Sequence, residues 1–582
     1  VAAYLALTAL TLVVWAARGA YPVTGDEPHY LVLAQALVRD GTFDVGQAYR
    51  EEFADAAIYA PGLADAGAPL EPPAAHVVRT DAGVYSWHGP GVALLVAVPF
   101  AVAGVAGAKV LLAALGALVV IVAWRMSGVF LAGTGRRAAA TAVVCLAYPL
   151  VPAATQVYPD LLAGTLMLGV LYLVATPAIP RGPWSLAGYA ALVGALPWLG
   201  MKFAPAAVVL LAAVAWQARR RLWAVLPGVG LGLLLLGHNL MLFGSPLGPP
   251  TDGTLALTDA SAMVGWGLLV DQNQGFLLQN PTLWLAVPGL VVLARRSRPL
   301  VAVVALVFLS VWVPAALHPG WYGLGSMVGR YSWPLAVLAI LPALAGLGWL
   351  ADRSRRAFGI VVALGLAWNA VAFAWATLGG FAAPGQPAGF DLYTKPVGTW
   401  LESYAVFWFP AQDWVPALYD PAWAYSFAPN VAWLLVPVAL VVLAVRVRAG
   451  LAALGVALAA VLVAGAVSVP GPRQQDVRVD RTSAAAGFLT AEPIRQMRQG
   501  PYTWWVTYRA APVTGPAGRW ELVRSVDGAV VASGELPGSA GEERTEPIAV
   551  PYLSLRPVEY SLRVAGYGTG PLTVVSTGVA HG

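Results

Sequence analysis

Long apolar runs separated by short arginine-bearing loops dominate this chain. Residues 1–19 are apolar and lack an A-x-A cleavage pattern, which predicts a retained first membrane span. A polar segment covers 20–90. The apolar run 91–104 is too short to cross a bilayer and predicts a juxtamembrane helix. Further spans are predicted at 108–125, 138–156, 160–176, 184–200, 202–217, 222–243, 280–294, 299–317, 332–350, 357–376, 431–446 and 449–469. With the first, these make about thirteen transmembrane helices. Past residue 470 the period changes. Alternation in Thr503–Tyr508, Trp520–Arg524 and Tyr560–Val564, between Gly- and Pro-rich turns, predicts a β-sandwich. The expected fold is a polytopic α-helical membrane domain, 1–469, followed by a β-sandwich domain, 470–582, with carbohydrate binding as its candidate role.

Composition supports the membrane assignment. Of the 582 residues, 59% are hydrophobic and 11% charged, against roughly 25% charged in soluble domains. The net charge of +5 comes from arginine, since Lys109, Lys202 and Lys395 are the only lysines. No basic, aromatic-interleaved patch is present, so no nucleic-acid partner is expected. The sole cysteine, Cys145, lies in an apolar run and excludes an intrachain disulfide or a thiolate metal cluster.

The arginines fix a topology. Arg125, Arg136 and Arg137, then Arg181, Arg219–Arg221, Arg295–Arg298, Arg353–Arg356 and Arg446–Arg448 all follow even-numbered predicted spans. The positive-inside rule makes that face cytoplasmic. The parity holds only if 91–104 does not cross. The loops 20–107 and 377–430 and the C-terminal domain then lie outside a bacterial cytoplasmic membrane. The cytoplasmic loops are short and hold no P-loop or GxGxxG unit, so no nucleotide cofactor is expected.

The candidate chemistry gathers on the outer face. Asp26 and Glu27 directly follow the first span, and ionisable residues beside membrane spans are functional candidates. The same face receives Asp160, Lys202, Asp271, Trp321 and Arg330. An external site has no ATP, so its activated substrates must arrive through the membrane, as polyprenyl-phosphate sugars do. Transfer of such a sugar needs a base for the acceptor hydroxyl, here Asp26. Glu27 and Asp160 suit positioning of the acceptor or a metal. Lys202 and Arg330 suit the leaving phosphate.

Blander roles fit the same residues. Asp26 and Glu27 suit the start of a helix opening at Pro28, and Asp160 suits an N-cap. Lys202 suits snorkelling to the interface, and Arg330 a headgroup anchor.

Gly25-Asp26-Glu27-Pro28-His29-Tyr30, His88-Gly89-Pro90-Gly91, Gln156-Val157-Tyr158-Pro159-Asp160 and Gly329-Arg330-Tyr331 resemble motifs of GT-C-fold glycosyltransferases. The likeness is to the bacterial branch related to protein O-mannosyltransferases and aminoarabinose transferases, and it covers about residues 1–350. Leu268-Leu269-Val270-Asp271-Gln272 resembles a loop of that class. The resemblance implies inverting transfer from a polyprenyl-phosphate sugar to a cell-envelope glycan, glycolipid or protein, with Asp26 at the catalytic position. It implies substrate contacts from His29, Tyr30, His88, Asp271 and Trp321. It also implies a divalent cation, for which Glu27 and His238 are the expected ligands. The rival classes are a lipid-linked sugar flippase, for which inverted repeats are expected but not seen, and a non-catalytic glycan-binding assembly protein.

Overall fold

The computed structural model describes residues 1–17, 25–72, 74–176, 182–249, 261–270, 275–318, 329–374, 432–468, 474–497, 502–524, 528–550 and 558–581, and positions 23, 255, 257 and 377. Asp271, Trp321 and, apart from Thr377, the loop 377–430 lie outside these residues. The chain divides into two compact units, Val1–Thr394 with Leu435–Val456, and Lys395–Leu434 with Ala457–Gly582.

The first unit is helical. Among the described residues, five helical stretches are long and apolar enough to cross a membrane: Gly91–Phe130, Leu222–Phe243, Arg298–Ala316, Arg330–Arg353 and Arg355–Ala374. Val102, Val208, Leu234 and Leu364 stand exposed on helices. Apolar side chains in such positions belong against lipid, and the protein is an integral membrane protein.

The helix Trp333–Arg353 is the core of this unit, with nearly every residue buried. Glycines set its packing distances. A Cβ on Gly289 would stand 1.7 Å from the Pro342 carbonyl oxygen, and one on Gly346 2.1 Å from that of Leu285. Only hydrogen at both positions lets helix Ala286–Arg296 lie this close to the central helix.

The described residues of the polar segment, 25–72 and 74–90, fold into elements that follow the first helix and frame the site. Here α1 is Ala2–Ala17, α2 is Glu27–Arg39 and α3 is Gly46–Asp55. A hairpin follows, β1 (Val77–Thr80) with β2 (Gly83–Ser86), pairing Val77 with Ser86 and Thr80 with Gly83. The helix α4, Gly91–Gly116, breaks at Ala103 and Gly104. Gly104 adopts φ 57°, ψ −147°, a conformation essentially confined to glycine. The expected juxtamembrane run 91–104 thus ends at this break, and the chain turns there into the next helical stretch.

One predicted span is corrected. Residues 138–156 do not form a continuous helix: Thr134–Cys145 is followed by a bend and a four-residue helix, Leu150–Ala153. Pro149 supplies no N–H and disfavours helical geometry at Tyr148, so the apolar run continues while the helix does not.

In the second unit two four-stranded antiparallel sheets form a sandwich. Their strand orders are β3-β10-β5-β8 and β4-β9-β6-β7, with β3 Gln474–Ser483, β4 Gly487–Met497, β5 Tyr502–Ala510, β6 Pro516–Arg524, β7 Val530–Pro537, β8 Glu543–Val550, β9 Val558–Gly566 and β10 Leu572–His581. Alternate residues Trp504, Val506 and Tyr508 of one sheet meet Tyr560, Leu562 and Val564 of the other in a common core. Truncating fully buried Leu562 to Ala should cost about 2–5 kcal/mol. Hydrogen exchange followed by mass spectrometry should show amides of β4, β6 and β9 exchanging at least about 30-fold faster, with little change in the helical unit.

Candidate functional site

The site is assembled from helix beginnings. Asp26 occupies the N-cap position of α2, with Pro28 in its first turn, yet its side chain makes no capping bond. Its carboxylate reaches Arg330 instead, Oδ2 accepting from the guanidinium Nη1. Asp160 is the first residue of helix Asp160–Ala175, whose N-cap is Pro159. Its Oδ2 accepts from Arg330 Nε at 3.1 Å and its Oδ1 from Lys202 Nζ at 2.6 Å. Capping therefore does not account for Asp26, and Asp160 does not hold the N-cap position.

The result is a chain of alternating charge, Asp26, Arg330, Asp160, Lys202. Its middle is closed and its ends are open. The Asp160 and Arg330 side chains are 0% and 6% exposed, while those of Asp26 and Lys202 are 24% and 32%. Tyr158 lies under the Arg330 guanidinium at 3.9 Å from the ring centroid, and Tyr331 under Lys202 Nζ at 4.7 Å. These stacked rings keep both cations from snorkelling away. Burial pushes the Asp26 carboxyl up, but Arg330, His88 and His76 outweigh it and hold the group well below the usual carboxylate range.

Glu27 points elsewhere. Its Oε1 accepts from Lys109 Nζ at 2.8 Å and from the Val157 backbone N–H at 2.6 Å. Lys109 also donates to the Thr155 carbonyl at 2.8 Å. Both side chains are fully buried. This second ion pair ties α2 and α4 to the turn 155–157 and so sets Tyr158 and Asp160 in place. The Glu27 carboxylate, an expected metal ligand, is here engaged by an ammonium and a backbone donor.

The histidines form a separate group. His76 Nδ1 lies 3.6 Å from Asp26 Oδ1 and 2.8 Å from His88 Nε2. The His29 ring stacks on His76 with centroids 3.6 Å apart, and its Nδ1 meets the Tyr49 hydroxyl at 2.7 Å. Tyr30 packs against His88 at 4.7 Å. Burial brings the His88 imidazole down to about 3 against the pull of Asp26, and burial with His76 and His88 brings His29 down to about 2. Asp26, His76 and His88 bring one ligand atom each within 4.8 Å of one another, which suits a metal ion.

His29 and Tyr30, the expected substrate contacts, lie behind the outer histidines. Both are buried at 3% exposure and support the outer histidines. His238, the other expected metal ligand, instead packs edge-on against Phe43 at 4.6 Å and near Trp198 at 5.9 Å. The motif around His88 has a steric basis: a Cβ on Gly89 or Gly91 would stand 2.7 Å from the Trp198 backbone.

Lys109 and His76 carried no assigned role in the sequence. Lys109 was masked by its apolar run. His76 was findable: Val77–Thr80 and Gly83–Ser86 flank a short polar turn, and extending that hairpin by one residue sets His76 opposite Trp87, beside His88.

No family model matches the chain, and no curated relative matches it. Among solved structures it is similar to the crystal structure of ArnT from Cupriavidus metallidurans bound to undecaprenyl phosphate, at 17% identity over 80% of this chain and 77% of that one, TM-score 0.41. It is also similar to ArnT from Cupriavidus metallidurans in the apo state, at 19% identity over 80% and 76%, TM-score 0.40. At these scores the likeness assigns neither activity nor residues to this chain.

Removing one partner of the Glu27–Lys109 pair leaves a buried uncompensated charge. Lys109→Met should cost about 3–5 kcal/mol, and adding Glu27→Gln should recover part of that loss. Thermal unfolding of the detergent-solubilised single and double variants measures both effects.

Proposed function

We propose that this protein is a GT-C-type membrane glycosyltransferase. It moves a sugar from a polyprenyl-phosphate donor to an acceptor hydroxyl on the extracytoplasmic side of a bacterial membrane. The observation that supports this most is the bridge Arg330 makes between Asp26 and Asp160, residues 304 and 170 positions away. It places a carboxylate with an open face beside cations suited to phosphate. The arginine parity of the loops supports the outward orientation.

The resting geometry explains how Asp26 is kept inactive. A carboxylate held this low by a guanidinium is a weak base. The donor phosphate competes for Arg330 and Lys202, and drawing the guanidinium from Oδ2 restores the basicity of Asp26. Asp26 Oδ2 then takes the proton of the acceptor hydroxyl while the acceptor oxygen bonds to the anomeric carbon with inversion. The bond from that carbon to the phosphate oxygen breaks, and its electron pair leaves on the polyprenyl phosphate. Lys202 and Arg330 stabilise the charge that develops there. Asp160 holds the two cations in register. Envelope glycans, glycolipids and exported proteins all present suitable hydroxyls.

Asp26→Asn should lower donor cleavage, read as release of free polyprenyl phosphate, by at least about 100-fold, with elution profile and thermal unfolding preserved. Full activity in a folded Asp26→Asn variant refutes the assignment. Lys202→Met should raise KM for the donor and also lower kcat, since Lys202 both binds the phosphate and stabilises the charge that develops on it.

A further inference from the structure

The histidine group beside Asp26 is not used by the transfer chemistry just described. His76 and His88 lie at the two ends of the β1–β2 hairpin, where Trp87 N–H bonds the His76 carbonyl at 3.1 Å. Their ring orientations are fixed on several sides. His76 is sandwiched by His29 at 3.6 Å and Trp87 at 4.5 Å, and its backbone N–H donates to the Tyr49 hydroxyl at 3.1 Å. The His88 backbone N–H donates to Ser86 Oγ at 3.1 Å, and its ring packs on Tyr30.

The group brings three potential ligand atoms within 4.8 Å of one another. Trp87 Nε1–H points at His88 Nε2 from 3.2 Å, so that nitrogen is the acceptor of its ring. Asp26 Oδ1 is an acceptor as well. His76 Nδ1 faces both, at 2.8 and 3.6 Å. His76 Nδ1 either donates a proton toward these acceptors or, as a lone pair, joins them around a shared cation. A proton on His76 Nδ1 serves one of them at a time, whereas a metal ion serves all three. Donor atoms bound at about 2.1 Å and at tetrahedral or octahedral angles lie roughly 3.0–3.4 Å apart, and the two observed separations bracket that range.

We propose that Asp26 Oδ1, His76 Nδ1 and His88 Nε2 form a binding site for one divalent transition-metal ion. Two imidazoles and one carboxylate favour zinc-like ions over magnesium or calcium, which prefer all-oxygen sets. The neighbouring cations Arg330 and Lys202 oppose such an ion, and the carboxylates Asp26 and Asp160 offset them. His29 acts behind His76 as a positioning residue. The ion occupies Oδ1 and leaves Oδ2 to Arg330, so one carboxylate connects the metal to the charged chain. This site shares Asp26 with the proposed transfer but does not rest on it.

The test uses the full chain in detergent, stripped with chelator, equilibrated with Zn²⁺, freed of excess ion and measured for bound metal. One equivalent per chain is expected, and Co²⁺ should give the visible absorption of an imidazole-bound ion. His76→Ala and His88→Ala should each weaken binding at least tenfold, and the double variant should abolish it. The double variant should also lose the Zn²⁺-induced rise in unfolding temperature that the unaltered chain shows. His238→Ala should bind a full equivalent. Less than a tenth of an equivalent in the unaltered chain overturns the site without reference to any variant. A full equivalent in the double variant overturns it as well. Because no sugar donor is present, an enzyme inactive in transfer but binding stoichiometric metal fails only the functional proposal.

Discussion

A guanidinium buried between two carboxylates is the constraint on which the helical unit depends. Arg330 cannot be removed from water unless Asp26 and Asp160 are both brought to it, and each comes from a distant part of the chain. The protein meets this by placing Arg330 on the turn that opens its most buried helix. Gly329 makes that turn with φ 77°, and a Cβ there would stand 2.5 Å from the Gln279 side chain. The glycine contacts at Gly289 and Gly346 then hold the helix where the turn has to be. Core packing and site geometry are therefore parts of one arrangement.

Asp26 and Glu27 show how two neighbours with the same charge divide the labour. Consecutive residues at a helix start cannot face one way. Asp26 turns toward the partly open network, whereas Glu27 turns inward to Lys109 and the Val157 N–H. The inner pair fixes the turn that presents Tyr158 and Asp160, and the outer residue makes use of what the inner one holds. An isolated buried ion pair is a weak source of stability. Its value here is specificity, because one turn position satisfies Glu27 and Lys109 together.

Much of this was legible because the sequence marks it by contrast. Carboxylates next to apolar runs at Asp26 and Asp160 and cations at Lys202 and Arg330 are conspicuous, and the structure brings all four together. Helix limits such as 160–176 against Asp160–Ala175 followed from length and hydropathy. The misses have physical causes. Hydropathy averages over a window, so it does not register the bend at Pro149 or a single Lys109 among alanines and valines. The pairing of His76 with His88 depends on strand register across a hairpin, and hydrophobic period says little about so short a pair. Glu27 and His238 were expected as metal ligands from residue type, and type does not show the neighbours they have, an ammonium at Glu27 and aromatic rings at His238.

The four charged residues share a location that composition does not suggest: each lies at a helix beginning. Asp26 precedes α2, Asp160 opens its helix, Lys202 lies in the turn before Ala204–Gln217, and Arg330 lies in the turn before Trp333–Arg353. Helix N-termini carry partial positive charge and unpaired N–H groups. Carboxylates are favoured there, and the two cations are held against the field by the aspartates. The centre is thus more electropositive than its side-chain charges, which cancel, imply. In the proposed transfer, the donor phosphate exchanges with a carboxylate for the same guanidinium, so the number of ion pairs at Arg330 is conserved while Asp26 is released. That exchange needs an anion of comparable charge and a face open to solvent, and the exposed ends of the network at Asp26 and Lys202 provide the face.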